Sequence, residues 1–262
     1  MKYVKIERRG AISIVSFDRG KPANPLSYDL MRELTEAARS FEGDHLTSAV
    51  ILMGRSDNFS MGFDLSDAET QRLRDAGLAE RREAVTTGKR MCQAWENVQA
   101  LTISAIEGWC VGGGVALSVA TDLRVMGESA ELYVPEIERG LNMSWGSVPR
   151  ITNLVGPAKA KRLIILAEKC PAPRALDWGL ADWLAEDGTT LEKSMEVATR
   201  AASMPPVAVR MCKQDINAYA NALAGVASQA DHDQFTLAQS SDDADEGISA
   251  FLEKRGPIFT GE

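Results

Sequence analysis

Histidine is scarce in this chain, and its cysteines are scattered. Among 262 residues the only histidines are His45 and His232. The four cysteines include no CxxC pair; they are Cys92, Cys110, Cys170 and Cys212. Spacing of the kind that holds zinc is therefore absent, and we expect no metal site. We expect the cysteines to be small buried hydrophobic side chains. A Ser-His hydrolase is disfavoured, because His45 lies far in sequence from any nucleophile turn.

Positive charge and long apolar runs are also lacking. The net charge is -8, which argues against a nucleic acid partner, since phosphate binding needs a basic face. A small polyanion is still possible, because a few Lys or Arg side chains and backbone amides can meet its phosphates. No run approaches the roughly 18 apolar residues of a membrane span, and residues 1–5 carry no apolar signal core. We predict a cytoplasmic protein without a membrane partner.

What is present is an ordinary globular composition, with 45% hydrophobic and 25% charged residues. Short apolar segments predict strands at residues 4–7, 11–17, 48–53, 101–106 and 122–126. Residues 54–62 form a loop in this prediction. Helices are predicted at residues 27–41, starting at Ser27, at 67–99 with Gly77 as a weak point, and at 115–120. Such alternation predicts parallel βαβ units.

The chain beyond about residue 135 is predicted to be mostly helical. Helices are expected at residues 150–168 with a break at Gly156, then at 174–180, 189–202, 205–222 and 242–254. Acidic residues crowd the start of the last one, where negative charge suits the helix dipole. We predict a core of residues 1–200 and a helical C-terminal region of residues 201–262.

Three turns carry the residues that suit chemistry. The first, residues 59–65, follows a buried strand. Gly62 lets the backbone take a conformation that other residues resist, so the amide after it can point at an anionic oxygen. Turns with one glycine are common, and a plain structural turn is the alternative.

The second turn, residues 108–114, ends in three consecutive glycines at the start of a predicted helix. These glycines cost backbone entropy but provide free N–H groups and room for a ligand to approach. Neither the dinucleotide fingerprint GxGxxG nor the phosphate-binding GK[ST] is present. A structural turn is again the alternative.

The third turn covers residues 134–136 and 140–146. Glu136 is an acid among apolar residues and glycines, where burial would raise its pKa and suit it to act as a base. A solvated loop glutamate is the alternative.

Together, these turns resemble the crotonase superfamily, also called the enoyl-CoA hydratase/isomerase family. Residues 59–65 are similar to its first oxyanion and CoA segment, 108–117 to its second, and 135–136 with 140–150 to its catalytic turn and following helix. Residues 21–27 resemble the loop over the adenine, and residues 175–180 and 246–255 match late landmarks. The resemblance covers about residues 3–256.

The resemblance implies an α/β fold, a spiral of ββα repeats with a helical C-terminal region that makes trimers or dimers of trimers. An acyl-CoA would be the substrate and no further cofactor would be needed. Glu136, Phe63 and Gly113 would be catalytic, with the thioester oxygen between the amides of the last two. The substrate-binding positions would be Lys21, Ala23, Asn24, Leu26, Met61, Gly62, Asp64, Gly112, Ala116, Trp145, Phe251 and Lys254. Two of these, Phe251 and Lys254, would reach the CoA of a neighbouring subunit.

The sequence departs from the family's hydratases, which use two glutamates. The second matches Glu136, but the first would lie at Ala116, and Ser144 stands where some relatives carry an aspartate. A single base favours double-bond isomerisation, lifting a proton from C2 of a 3-enoyl-CoA and returning it at C4. Glu107 is a poor substitute for the missing glutamate. We expect Glu131 and Glu138 to lie on solvated faces.

Several alternatives stay open from the sequence. Hydration is one, since another polar group could orient the water, and related enolate chemistry such as dehydration or ring hydrolysis is another. A CoA-binding protein without catalysis is the alternative from a different class. Trp95, Trp109 and Trp145 either wall the acyl pocket or pack in the core. Phe63 is bulky, which would narrow the pocket mouth or suit it to a cyclic or aromatic acyl group.

Overall fold

The computed structural model describes residues 1–262, apart from the side chain of residue 74. The strands are β1 (Val4–Arg9), β2 (Ile12–Phe17), β3 (Ala49–Met53), β4 (Asn58–Ser60), β5 (Leu101–Ile106), β6 (Trp109–Val111), β7 (Leu123–Gly127), β8 (Glu131–Tyr133), β9 (Cys170–Pro171) and β10 (Trp183–Ala185). The helices are α1 (Tyr28–Arg39), α2 (Ala68–Arg74), α3 (Leu78–Glu96), α4 (Gly113–Ser118), α5 (Ser147–Ile164), α6 (Ala172–Trp178), α7 (Thr190–Ala202), α8 (Pro206–Ala220), α9 (Ala224–Ser228), α10 (Asp231–Gln239) and α11 (Asp242–Glu253), with a 3-10 helix at Glu136–Arg139.

The strands form two sheets that the chain visits in turn. The larger has the order β1-β2-β3-β5-β7-β10 and the smaller the order β4-β6-β8-β9. Strands β2, β3, β5, β7 and β10 run parallel, while β1 is antiparallel to β2. The chain steps from β3 to β4, from β5 to β6 and from β7 to β8, and helices follow each short strand. This is the predicted spiral of ββα repeats, and the α/β expectation is confirmed.

Apolar side chains cover both faces of the larger sheet, as expected for parallel strands under helices. On one face, Val15, Val50 and Leu52 join the main core under α1 and α3. On the other, Ile51 and Ile103 pack toward α7 in a second cluster. Because both faces of the larger sheet are covered, the turns that follow β4, β6 and β8 do not pack on an open sheet face.

The predicted helices are present, with shifted bounds. Ser27 caps α1, since its hydroxyl accepts a hydrogen bond from the amide of Leu30 at 3.2 Å. The single helix predicted over residues 67–99 is wrong: it is two, α2 and α3, separated at residues 75–77 next to the expected weak point Gly77. At Gly156 the backbone of α5 has φ 77°, which places the kink where it was predicted.

Several short strands and two helices were not predicted from the sequence. The loop predicted at residues 54–62 contains β4, and β6, β8, β9 and β10 were not predicted as strands. Each has only two or three residues, too few to show an alternating pattern. Helices α9 and α10 were also missed. Cys212, expected to be buried, is exposed on α8, whereas Cys92, Cys110 and Cys170 are buried.

The C-terminal helices pack on the core at two points. Lys213 of α8 is buried and donates to the carbonyls of Val98 and Ala100 at 2.6 and 2.9 Å. Helix α11 lies on the 3-10 helix so closely that a Cβ at Gly247 would fall 2.5 Å from the backbone of Arg139. The boundary at residue 200 stays a prediction. A membrane-crossing helix is not found among the described residues.

Candidate active site

The predicted CoA loop at residues 21–26 runs alongside residues 61–64. The amide of Met61 donates to the carbonyl of Ala23 at 2.9 Å. The amide of Leu26 donates to Gly62 at 2.7 Å, and that of Asp64 donates to Leu26 at 2.9 Å. The two segments that the sequence assigned to CoA, which are distant along the chain, therefore form one strip.

Asn24 fixes the shape of this strip from inside. Its backbone has φ 47° and that of Ala23 has φ 68°, the left-handed region that asparagine tolerates better than most residues. The buried Asn24 amide donates to the carbonyls of Phe17 and Phe59 at 3.2 and 2.9 Å. Asn24 is thus a structural clamp, and its side chain faces inward rather than toward a ligand.

At the edge of the strip, Lys21 pairs with Asp64 at 3.2 Å. Burial alone would raise the pKa of Asp64, but hydrogen bonds from Ser66 and Lys21 bring that pKa below its usual value. Asp64 is therefore ionised and held in place. Lys21 stays partly exposed, with its ammonium group at the surface.

Two backbone amides meet at the end of the strip. The backbone of Leu26 forms a parallel bridge with Phe63, in which it hydrogen-bonds to residues 62 and 64. The amide of Phe63 therefore points away from Leu26. Gly113 is the first residue of α4, and its amide has no acceptor within the helix. A Cβ at Gly62 would lie 3.4 Å from the nitrogen of Gly113, which shows how closely the two turns approach. Both amides are free to bind an oxygen.

Glu136 approaches the glycine turn from the 3-10 helix. Gly112 has φ 50° and ψ -111°, and a Cβ there would lie 2.5 Å from Glu136 Oε1. Only glycine leaves room for the carboxylate at this distance. The structure therefore brings the carboxylate of Glu136 to the glycine turn that carries the amide of Gly113; the catalytic roles of Glu136, Phe63 and Gly113 stay a prediction.

The carboxylate of Glu136 is buried although the residue as a whole is partly exposed. Its Oε2 is buried and has no hydrogen-bond partner among the described residues. Burial raises the pKa of Glu136 to about 7, against a smaller lowering effect of its own backbone amide and of Arg139. Such a group changes its charge near neutral pH and can both take and return a proton.

The other carboxylates considered from the sequence lie elsewhere. Glu107 is buried and accepts hydrogen bonds from the amide and hydroxyl of Thr190 at 3.2 and 2.7 Å. Glu138 is exposed, as expected, and its carboxylate binds the hydroxyl of Tyr133. Glu131 was expected on a solvated face but is half-buried in β8. Ala116 is fully buried in α4.

The three tryptophans have different positions. Trp95 is fully buried and packs in the main core. Trp109 is half-buried, with the Lys169 ammonium 5.2 Å from its ring. Trp145 borders the candidate site: a Cβ at Gly113 would lie 2.5 Å from its ring. Its ring also meets Phe63 edge-on, at 6.3 Å between centroids.

Phe63 belongs to a small aromatic group, because its ring also meets Tyr28 edge-on at 5.5 Å. From α11, Phe251 reaches the 3-10 helix, where the guanidinium of Arg139 lies 4.2 Å from its ring centre. Lys254 follows as the exposed end of α11, with φ 57°.

Sequence reasoning missed the residues that hold the turn around Trp145. Asp231, at the start of α10, accepts a hydrogen bond from the amide of Gly146 at 2.6 Å and pairs with Lys89 at 3.1 Å. Arg150 donates to the carbonyls of Trp145 and Gly146, both at 3.1 Å. A buried aspartate in an otherwise exposed region is a signal that only the fold reveals.

A spiral of ββα repeats with two free amides beside a buried carboxylate defines a crotonase-type protein. The family model of enoyl-CoA hydratase/isomerase matches residues 7–262, and the chain belongs to this family.

The similar proteins agree with this assignment. The short-chain-enoyl-CoA hydratase of Clostridium acetobutylicum is 29% identical over 253 residues, which cover 96% of this chain and 95% of the relative. The 2,3-dehydroadipyl-CoA hydratase of Escherichia coli is 27% identical, with 100% of both chains covered. The crystal structure of carnitinyl-CoA hydratase from Mycobacterium avium has a TM-score of 0.86, with 28% identity and 100% of both chains covered.

Proposed function

We propose that this protein is an acyl-CoA enzyme that stabilises a thioester enolate. The observation that carries the proposal is the arrangement of three groups: the free amides of Phe63 and Gly113, and the buried carboxylate of Glu136 beside them. The amides would hold the thioester oxygen as its negative charge grows. One such donor is typically worth roughly 2.7–4 kcal/mol in mutant enzymes. Glu136 would move the proton at the neighbouring carbon.

The CoA portion would lie along the strip formed by residues 21–26 and 61–64. The surface ammonium of Lys21 suits a phosphate of CoA, and Ala23, Met61 and Gly62 would flank the pantetheine. Leu26, which the sequence also assigned to the ligand, is fully buried and contributes only its backbone hydrogen bonds to the strip. No additional cofactor takes part in this proposal, since the thioester is itself the substrate.

The reaction we favour is migration of a double bond. Glu136 would take a proton from C2 of a 3-enoyl-CoA, the electron pair would spread onto the oxygen held by the two amides, and the same proton would return at C4. The fully buried alanine at residue 116 supports a site with one glutamate. Products and reactants have the same atoms, so one carboxylate that titrates near pH 7 suffices.

Hydration of a 2-enoyl-CoA is the second candidate, because relatives across the whole chain carry hydratase names. Glu136 would then deprotonate a water that attacks C3, and the proton would be delivered to C2. A second polar group would have to orient that water.

Incubation with crotonyl-CoA and with 3-hexenoyl-CoA, followed by mass spectrometry, separates the two reactions. Added water means hydration, and an unchanged mass with a shifted double bond means isomerisation. Glu136→Gln should abolish either reaction, whereas Glu138→Gln, which alters an exposed neighbour, should keep it. If the wild type binds CoA but converts neither compound, the chain is a CoA-binding protein. Full activity of Glu136→Gln would overturn the proposed mechanism.

We also propose that the chain assembles as a homotrimer or a dimer of trimers. Large apolar side chains are exposed along α8 to α11; they include Val207, Met211, Ile216, Tyr219, Leu223, Val226, Leu237 and Leu252. An apolar surface that is exposed in one chain is usually buried against another chain in an assembly. Phe251 and Lys254 would then lie near a neighbour's CoA. Light scattering during size-exclusion chromatography measures the mass, and a monomer would contradict the assembly.

A cytoplasmic location fits the cysteines, which are free in the described structure. Reduced cysteines are the rule in that compartment.

A further inference from the structure

The indole of Trp145 fills the space between two helices beside the candidate site. On one side lies Gly88 of α3, where an added Cβ would lie 2.0 Å from the indole ring. On the other lies Gly113 of α4, where an added Cβ would lie 2.5 Å from the ring edge. A tryptophan fits here only because both neighbours are glycines.

The backbone at Trp145 is held in an unfavourable conformation. Its φ is 60°, a region that costs a bulky residue on the order of 1–3 kcal/mol. Three contacts fix the turn: Asp231 accepts from the amide of Gly146, and Arg150 donates to the carbonyls of Trp145 and Gly146. Arg150 is itself held by Glu96, with both bonds at 2.9 Å. These contacts fix the backbone from which the indole projects.

The reacting groups lie next to this ring. Gly113 presents its amide to the thioester oxygen and its α-carbon to the indole, while the preceding residue, Gly112, touches the carboxylate of Glu136. The ring of Phe63, whose amide is the other donor, meets the indole edge-on. An acyl chain whose oxygen sits on the two amides therefore starts between Glu136 and Trp145.

We propose that Trp145 is a specificity-determining residue that closes the acyl compartment and limits the enzyme to short acyl chains. This inference rests on the proposed function, since it takes the two amides as the site of the thioester. Because the indole lies against Gly113 and Phe63, a long acyl chain that starts at their amides would meet it. Removing the indole should open a channel between α3 and α4 lined by the two glycines.

Binding of saturated acyl-CoAs tests this without requiring turnover. Affinities for CoA, butanoyl-CoA and decanoyl-CoA would be measured by calorimetry for the wild type, Trp145→Ala and a control, Trp183→Ala, which alters a half-buried tryptophan on the far sheet edge. We expect Trp145→Ala to improve the decanoyl-to-butanoyl affinity ratio by about tenfold or more, since buried methylenes each add affinity. The ratio of the control should stay at the wild-type value.

The inference is overturned if the wild type already gains affinity from butanoyl to decanoyl, or if Trp145→Ala leaves the ratio unchanged. Trp145→Leu, which keeps an apolar side chain but removes much of the indole volume, replaces the alanine variant if that one does not fold. Gly88→Ala approaches from the opposite side, because its methyl group would push the indole toward the acyl space. It should weaken butanoyl-CoA binding, while Gly225→Ala, which adds a methyl group in open space, should not.

The experiments distinguish a failure of the proposed function from a failure of the inference about Trp145. If no enoyl-CoA is converted, the enolate chemistry is wrong, but the effect of chain length on binding still reports on Trp145. If enoyl-CoAs are converted with no dependence on residue 145, only the present inference is wrong.

Discussion

Asp231 accepts a hydrogen bond from the backbone amide of Gly146, with 2.6 Å between Oδ2 and the nitrogen. Its other oxygen, Oδ1, lies 3.1 Å from the ammonium of Lys89, which also donates to the carbonyl of Ser228. The aspartate is buried and the lysine is partly exposed. Helix α10, in the C-terminal region, thus connects two parts of the core. Asp231 links the turn that contains Trp145 to α3, the helix that contains Gly88.

Replacing this aspartate should loosen the turn. Asp231→Ala leaves the amide of Gly146 without its acceptor and the ammonium of Lys89 with only the carbonyl of Ser228, and we expect the unfolding free energy to fall by about 3 kcal/mol. Urea denaturation measures the loss. Asp233→Ala is the matched control, because its ion pair with Arg82 is exposed and should contribute little to stability. Equal losses of unfolding free energy in the two variants would show that the buried contacts of Asp231 do not hold the turn.

The rate of the reaction should depend on pH through Glu136. Burial raises the pKa of this carboxyl group to about 7, and a base must be ionised to act. We therefore expect kcat/KM to rise about tenfold per pH unit below pH 7 and to level off above it. A pH profile between 5 and 9, measured on the substrate that the enzyme converts, checks this. A flat profile through pH 7 would exclude a base of this pKa.

The same carboxyl group should lower stability at high pH. In the unfolded chain it ionises near its ordinary value of 4.5, but in the folded protein only near 7. The wild type therefore loses stability relative to Glu136→Gln as pH rises from 4.5 to 7, and the difference is complete above 7. A shift of this size corresponds to about 3 kcal/mol.

Urea denaturation of both proteins at pH 5 and pH 8 measures that difference. The unfolding free energy of the glutamine variant should exceed that of the wild type at pH 8, and the excess should be much smaller at pH 5. A difference that is the same at both values would mean that the carboxyl group titrates normally.

Gly112→Ala should damage the site without unfolding the protein. The new Cβ would lie 2.5 Å from Glu136 Oε1, so the carboxylate must move. We expect turnover to fall by about a hundredfold or more, in line with the loss of a preorganised catalytic group. Circular dichroism tests the fold, and Gly225→Ala serves as the glycine control. Wild-type turnover with an alanine at residue 112 would rule out this contact.

Lys213 should determine how firmly α8 is attached. Its ammonium lies 2.6 Å from Asp122 Oδ2 and donates to two carbonyls before β5. Lys213→Met keeps the length of the side chain but removes the donor to the two carbonyls and the positive charge beside Asp122, whose carboxylate keeps its hydrogen bonds from Thr102; we expect a cost of about 3 kcal/mol. Hydrogen exchange should speed up in α8, whereas Lys193→Met, at an exposed pair on α7, should leave it unchanged. Protection of α8 without Lys213 would show that apolar packing alone suffices.

Local features of the fold were predictable from sequence, and contacts between distant segments were not. Ser27 and the apolar spacing of Leu30 and Leu34 predict α1 because capping and periodicity act within a few residues. The short strand β4 is stabilised by pairing with β6, about fifty residues away. No local pattern can report such a pairing.

The candidate site divides in the same way. Glu136 and the glycine turn were visible because each carries an unusual residue type in an apolar setting. The contact between Asp231 and Gly146 spans 85 residues, and neither residue has a local signature. The sequence left open whether Trp145 packs in the core or walls the pocket, since its contacts with Gly88 and Gly113 join segments that are distant along the chain.

The glycines at residues 112–114 each make room for a different neighbour: the carboxylate of Glu136, the indole of Trp145, and, at Gly114, the carbonyl of Ser60 at 2.8 Å from an added Cβ. This loop therefore has almost no tolerance for substitution. An engineer who wishes to change the substrate range must leave the loop intact and vary the neighbours, beginning with the indole, because that group can be shortened without disturbing either the base or the β4 backbone.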